Sequence, residues 1–430
     1  MLRNTVQFLF QNKIFKYTVV YTFTDGLSKG ISFLIFPLVS YYILPDQLGL
    51  AANFDVLQLI TSLLAGMAVV NSLPYFFYEQ EKKENALMIS NLILIVLCIC
   101  LFFSVIIFFF SNVIYKYLQI DLSLQLLALL AACANLFFSL GMIILRLEDK
   151  VRNFVVLSLS QVVVQLLLVS YFVLFCKMQA LGKIYSSVIT QFLFALIQLS
   201  ILYKRGYIVT QFSASFCVKL LKFGLPLLPH SLSFWFKSGI DKILLTNFCG
   251  LSVNGLYSMA LSLGGVYNIF NQSFNNAYIP YLQKKINNVV DLNVEKRRIV
   301  ALTYKLMLLF TVVYFIAVII AWGILNYLLS EKYIGAFMFI PWIMLVSLIN
   351  TMYGLVIQFI YTSKKTFGLG VITFSFSIFQ AILGYVLVRQ LGAFGICLSS
   401  VIGAFLIAIS VWGYSMKVYP MPWFNLFIRK

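Results

Sequence analysis

Residues 86–110 read ALMISNLILIVLCICLFFSVIIFFF, and no charged side chain interrupts them. The run is long enough to cross a bilayer as an α-helix, which needs about 20 apolar residues. A membrane β-strand is about 10 residues long and alternates apolar with polar positions. This run does neither, so a β-barrel is excluded.

Similar runs continue in both directions along the 430 residues. They lie at roughly 17–43, 51–74, 86–110, 122–145, 154–175 and 181–202, then 224–247, 255–279, 300–325, 337–361, 368–388 and 394–416. Twelve transmembrane helices are expected, giving an all-α membrane fold with both termini on one side. The composition agrees: 62% of the residues are hydrophobic and 10% charged, with mean hydropathy +0.97. No soluble domain has that balance. The first run is itself of spanning length with no A-x-A site after it, so no cleavable signal is expected.

Charge sets the orientation. Of 31 Lys and Arg residues, 22 lie in alternate segments, among them Lys82, Lys83, Arg146, Lys150, Lys219, Lys222, Lys296–Arg298, Lys364 and Lys365. The opposite segments hold only Lys116, Lys177, Lys183, Lys332 and Arg389. The basic side is cytoplasmic by the positive-inside rule. That places both termini in the cytoplasm and explains the net charge of +18 without nucleic acid. The outward loops are short, the longest near Ser111–Asp121 and Asn326–Gly335, so no outer domain is available for chemistry. Seven cysteines without a CxxC read as small packing residues.

The chain repeats in parallel. Gly49-Leu50 and Pro74-Tyr75 recur, at one common shift, as Gly255-Leu256 and Pro280-Tyr281. Gly182, Ser186–Ile189 and Phe192 recur, at nearly the same shift, as Gly395, Ser399–Ile402 and Phe405. Six runs separate the copies, so both have the same orientation. Two six-helix lobes follow, 1–205 and 206–430, with the basic stretch Tyr203–Phe223 at their boundary.

Several runs carry polar groups that lipid does not tolerate alone. Asp25 and Lys29 sit one turn apart in the first run, and Lys237 and Asp241 one turn apart in the seventh. A charge at the bilayer centre costs about 2.5–3.5 kcal/mol on insertion scales. The stretch from Lys29 to Gly49 is nearly as long as that from Lys237 to Gly255, so the two ammonium groups start at nearly the same depth. Either each pair neutralises itself, or the lysines of both lobes face a polar path and meet an anion. Asp55 reads as a wetted helix end, a partner of Lys29 or a cation ligand. Lys242 snorkels outward, and the single histidine, His230, is a proton-coupling candidate or a plain hydrogen-bonding group. In the eighth run Asn268, Asn271, Gln272 and Asn275 share one helical face. That face is interhelical glue or a lining for sugar hydroxyls. Gln165 and Gln380, in the fifth and eleventh runs, carry the same ambiguity. There is no GxxxxGK[ST] and no HExxH, so no nucleotide site, catalytic residue, metal or cofactor is expected. Energy must come from a gradient, with proton and sodium both open as the coupling ion.

Three stretches carry a known pattern: Leu27–Leu44 followed by Pro45–Leu50; Leu221-Lys222-Phe223-Gly224-Leu225-Pro226-Leu227-Leu228-Pro229 with Asp241-Lys242 and Asn254–Tyr257; and Asn276–Leu282. Together they resemble the Wzx-type polysaccharide flippases of bacterial O-antigen and capsule pathways. Those belong to the superfamily of multidrug extruders and oligosaccharide-lipid and polysaccharide exporters. The resemblance implies a two-lobed inner-membrane transporter moving undecaprenyl-diphosphate-linked oligosaccharide to the periplasmic leaflet by alternating access. Its product would serve a polysaccharide polymerase and chain-length machinery. On that reading Lys29 and Lys237 meet the diphosphate. Two alternatives stand beside it. A cation-coupled drug extruder is disfavoured by lysines at mid-membrane, and a membrane polymerase by the absence of a large outer loop.

Overall fold

The structure is a computed structural model that describes residues 20–423 apart from 22, 25, 29, 32, 34, 288–291 and 364. Every regular element among the described residues is a helix. The main ones are α1 (Ile35–Tyr42), α2 (Pro45–Ser62), α3 (Lys82–Leu118), α4 (Leu122–Leu147), α5 (Val151–Ser170) and α6 (Gln179–Lys204). They continue with α7 (Leu228–Cys249), α8 (Leu251–Asn287), α9 (Leu292–Tyr327), α10 (Ile340–Thr362), α11 (Thr366–Leu391) and α12 (Ala393–Val418). Each apolar run of the sequence overlaps one of them, although α1 covers only the end of the first and the second runs on past α2. Among the described residues, nine helices are long and apolar enough to cross a membrane. This is a multi-pass membrane protein. Helices α7 and α8, 22 and 37 residues long, are not among the nine. They carry Lys237, Asp241 and Lys242, and the amide row.

Local chemistry sets several boundaries. Pro45 opens α2 and Pro341 opens α10, where a missing N–H costs nothing. Helix α3 outlasts its apolar run. Its backbone leaves helical geometry at Phe110 (φ −103°, ψ 15°), then resumes to Leu118 and ends on left-handed Gln119. The expected outward loop at 111–121 is therefore mostly helix, with Tyr115 and Tyr117 exposed where an interfacial aromatic belt belongs. In the second run α2 gives way to a π-turn at Leu63–Met67 with Gly66 at φ 145°. A side chain would be strained there, and glycine is not.

The chain forms two compact units, Met1–Trp235 with Gly250–Gly255, and Phe236–Cys249 with Leu256–Lys430. In the first, α4 packs on α2, α3 and α6, and α6 packs on α5. In the second, α10 packs on α9 and α12, and α12 on α11. The pairs 3·4, 4·6 and 5·6 thus recur as 9·10, 10·12 and 11·12, as a parallel repeat requires. The repeated glycines share a role. A Cβ on Gly395 would fall on the carbonyl of Leu387, and one on Gly182 would lie 3.2 Å from the backbone of Phe172. Both let one helix turn tightly back along its predecessor. Gly49 and Gly255, both in the first unit, cross so closely that a Cβ on either would meet the carbonyl oxygen of Leu251 or Pro45. Asn254 closes this crossing by donating to Asn53 Oδ1 (2.9 Å) and to the Gly49 carbonyl (3.3 Å).

Beyond the apolar runs, polar staples hold the basic end of each unit. Glu148 accepts from Arg205 (2.5 Å) and from the Tyr207 hydroxyl (2.6 Å). In the second unit Glu295 pairs with Lys285 (2.6 Å) and Arg298 (3.4 Å). After α12 the chain folds back. Lys296 donates to the Pro420 carbonyl and Tyr304 to that of Trp423, each at 2.9 Å. The Trp423 ring, 3% exposed, seats against Trp412, Phe359 and Tyr304.

Candidate functional site

The first unit holds a polar ladder between two helices that have the length and hydropathy of membrane spans. Helix α2 supplies Asp55 and Gln58, close to one turn apart. Helix α6 supplies Lys183, Ser187 and Gln191, each one turn after the last, which makes one stripe. Lys183 Nζ lies 3.6 Å from Asp55 Oδ2. Gln58 Nε2 donates to Gln191 Oε1 (2.7 Å), and Gln191 Nε2 donates to Ser187 Oγ (3.0 Å). Trp235 Nε1 donates to the carbonyl of Val56 (3.4 Å), which holds its indole against α2. The side chains of Lys183 and Asp55 are 31% and 49% exposed. The charges are half-exposed, near the start of α6 and midway along α2, and they neutralise one another across the two helices.

Asp55 therefore has a partner, Lys183, from a helix far along the chain. Lys183 counts as a loop lysine by charge pattern, yet it lies inside α6. The 183/187/191 stripe is visible in the sequence as a spacing. Its meeting with Asp55 is not. Asp25 and Lys29 lie outside the described residues. His230 is in the first turn of α7, and its side chain also lies outside what the structure describes.

The second unit treats its charges differently. Asp241, on α7, is 2% exposed. Its Oδ2 accepts from Ser400 (3.0 Å) and Tyr257 (3.3 Å), and Oδ1 has no hydrogen-bond partner among the described residues. Gln380 Nε2 donates to Ser400 Oγ (3.3 Å), so four helices, α7, α8, α11 and α12, converge on one carboxylate. A buried carboxylate is costly as a bare charge, and the two hydroxyl donors offset part of that cost. Lys237 stands one turn away, half-buried, and no ion pair joins it to Asp241 among the described residues. Lys242 is half-buried beside Asp241 on the same helix.

On α8, Asn268 and Gln272 are exposed, and Asn275 donates to Asn271 Oδ1 (3.0 Å) along the helix. The amide row is thus linked along its own face. The two glutamines are interhelical ties: Gln165 donates to Ser186 (3.5 Å) between α5 and α6, as Gln380 does to Ser400 between α11 and α12. An apolar cavity of about 230 Å³ lies among α8, α9 and α10, lined by Leu263, Tyr267, Phe270, Val313, Ala317 and Met344. It offers no charged group to a headgroup. Tyr257 and Ser400 do not stand out in the sequence as site residues, although both lie within the quoted motif and repeat.

A family model described as "Polysaccharide biosynthesis protein" matches residues 39–338. The chain belongs to that family. This polysaccharide biosynthesis protein is similar to "Lsg locus putative protein 1" of Haemophilus influenzae, at 29% identity over 120 residues, 27% of this chain and 28% of that one. The match spans less than a third of that relative's length. Among solved structures, "Lipid II flippase MurJ, inward closed conformation" is similar with TM-score 0.72 and 14% identity, covering 96% of this chain and 88% of that one. An inward-facing multidrug resistance MATE family transporter of the MOP superfamily gives TM-score 0.59 at 15% identity, covering 92% and 94%. At these identities the likeness establishes a shared fold for this family member, that of the MurJ and MATE transporters.

Proposed function

We propose that this protein is a flippase of the bacterial inner membrane. It moves undecaprenyl-diphosphate-linked oligosaccharide, an O-antigen or capsule repeat unit, from the cytoplasmic to the periplasmic leaflet. Twelve helices in two lobes, with both termini cytoplasmic, would do this by alternating access. The observation that carries the reading is Lys237, a half-buried lysine on a helix of spanning length with no ion pair to its neighbouring aspartate. Such a cation is held for an anion. At an effective dielectric near 20, one contact at 4 Å contributes about 4 kcal/mol, a useful part of what dehydrating a diphosphate costs. Family membership in polysaccharide biosynthesis supplies an anion of that kind, and the MurJ-like fold supports a lipid-linked one.

In this reading Lys237, with Lys29 from the other lobe, meets the diphosphate. Asn268, Asn271, Gln272 and Asn275 offer donors and acceptors to sugar hydroxyls. Asp241 carries the coupling ion, and its site needs no ligand beyond a proton or one small cation. The drug-extruder reading is disfavoured because a lysine held apart from its aspartate repels cationic drugs. The test is deletion of the gene followed by lipid analysis. Undecaprenyl-linked repeat units should accumulate on the cytoplasmic leaflet. Normal surface polysaccharide with no accumulating lipid would end the assignment.

A further inference from the structure

The α2–α6 ladder has no place in the scheme above, and its chemistry differs from that of both Lys237 and Asp241. Its charges cancel: Asp55 faces Lys183, so the strip is neutral and holds neither a phosphate nor a free cation. Its donors and acceptors are mixed and far from exhausted. A carboxylate accepts about four hydrogen bonds, an ammonium donates three, and each amide has two donors and two acceptor lone pairs. Only one contact ties Asp55 to Lys183, and two tie Gln58, Gln191 and Ser187 together, among the described residues. The side chains hold one another in place, which lowers the ordering cost of binding. Seated on α2, the Trp235 indole, hydrogen-bonded to the Val56 carbonyl, offers an apolar face. Measured from Gln179, the stripe from Lys183 to Gln191 reaches from about 6 to about 18 Å along α6.

A neutral, half-exposed strip of mixed donors and acceptors, with an indole seated on α2, matches a molecule whose hydroxyls both donate and accept and whose ring C–H faces are apolar. We propose that Asp55, Gln58, Lys183, Ser187, Gln191 and Trp235 form a carbohydrate subsite that selects the glycan of the transported lipid. This role rests on the flippase reading. It adds a sugar-recognition strip in the first unit to the α8 amide row of the second and leaves the diphosphate to lysine.

The experiment uses the full-length protein in liposomes with two probes, the native lipid-linked repeat unit extracted from the source bacterium and undecaprenyl diphosphate without sugar. The readout is the ratio of their transport rates. Gln58→Leu and Gln191→Leu should each lower the preference for the glycosylated lipid about tenfold, the loss of a hydrogen bond that is made only to sugar. An unchanged ratio would overturn the proposal, even if both rates fall, because a structural defect slows both lipids alike. Should the wild-type protein move neither lipid, the flippase reading fails separately. The subsite is then judged by binding of the free glycan, released from the lipid by mild acid, to protein in detergent. Quenching of tryptophan fluorescence that saturates in wild type and is lost in Trp235→Leu and Gln191→Leu supports it. No saturable binding by wild type overturns it.

Discussion

In the first unit Lys183 is paired with an aspartate and both stay partly exposed; in the second, Lys237 and Asp241 are held apart and the aspartate is buried. Lys183 and Asp55 come from different helices and are 31% and 49% exposed. Lys237 and Asp241 share a helix and make no ion pair with each other among the described residues, and Asp241 directs its hydrogen bonds to Ser400 and Tyr257. A pair that neutralises itself in water gains little and costs little. A cation and an anion held apart at membrane depth are both costly, and each is explained only by something that binds there. The contrast sets a self-neutralised pair in the first unit against separated charges in the second, and the proposed roles follow that division.

The largest break in this contrast should come from Lys237→Ala. It removes the isolated cation and should reduce lipid flipping at least about a hundredfold at normal protein level, the scale of losing one buried charged contact. Lys237→Arg should keep part of the activity. Full activity in the alanine variant, followed by lipid-linked repeat-unit accumulation, would remove lysine from the substrate path. Next comes Asp241→Asn, which fills the same space without charge. Transport should lose its response to an imposed proton or sodium gradient, and residual flipping should follow the lipid gradient alone. A retained gradient response would move coupling elsewhere.

Gly255→Ala tests architecture. Its methyl would meet the Pro45 carbonyl and force the α2–α8 crossing apart, at about 1–3 kcal/mol, seen as a lower melting temperature in detergent. The smallest effect belongs to Asp55→Asn. An exposed pair is worth at most about 1 kcal/mol, so the melting temperature should barely move. A large drop would mean the pair is structural glue, and the two units would then handle charge more alike.

The helices were legible because spanning runs need only length and hydropathy. Each run from 17–43 to 394–416 overlaps a helix among the described residues, and the helix pairs 3·4, 4·6 and 5·6 recur as 9·10, 10·12 and 11·12. Partners were less legible. Asp55 and Lys183 lie four helices apart in the chain. The loop-charge pattern places Lys183 in an outer loop because no local signal distinguishes a first-turn lysine from a loop lysine. The i, i+4 spacing of Lys237 and Asp241 makes self-neutralisation a natural reading. The carboxylate instead turns to α8 and α12, a choice set by packing between distant segments. The runs at 224–247 and 255–279, which became α7 and α8, are the least apolar of the set, since the polar groups that make them interesting lower their hydropathy.

The return of residues 419–423 onto α9 and α10 bears on how the protein is made. Trp423 caps Phe359 and Trp412, and the carbonyls of Pro420 and Trp423 accept from Lys296 and Tyr304. Helices α9 and α10 leave the ribosome well before that segment exists. The basic end of the second unit therefore stays open through most of synthesis and closes only after α12 has been inserted. A stalled or truncated chain lacking this segment would present uncovered aromatic surface to the quality-control proteases of the membrane.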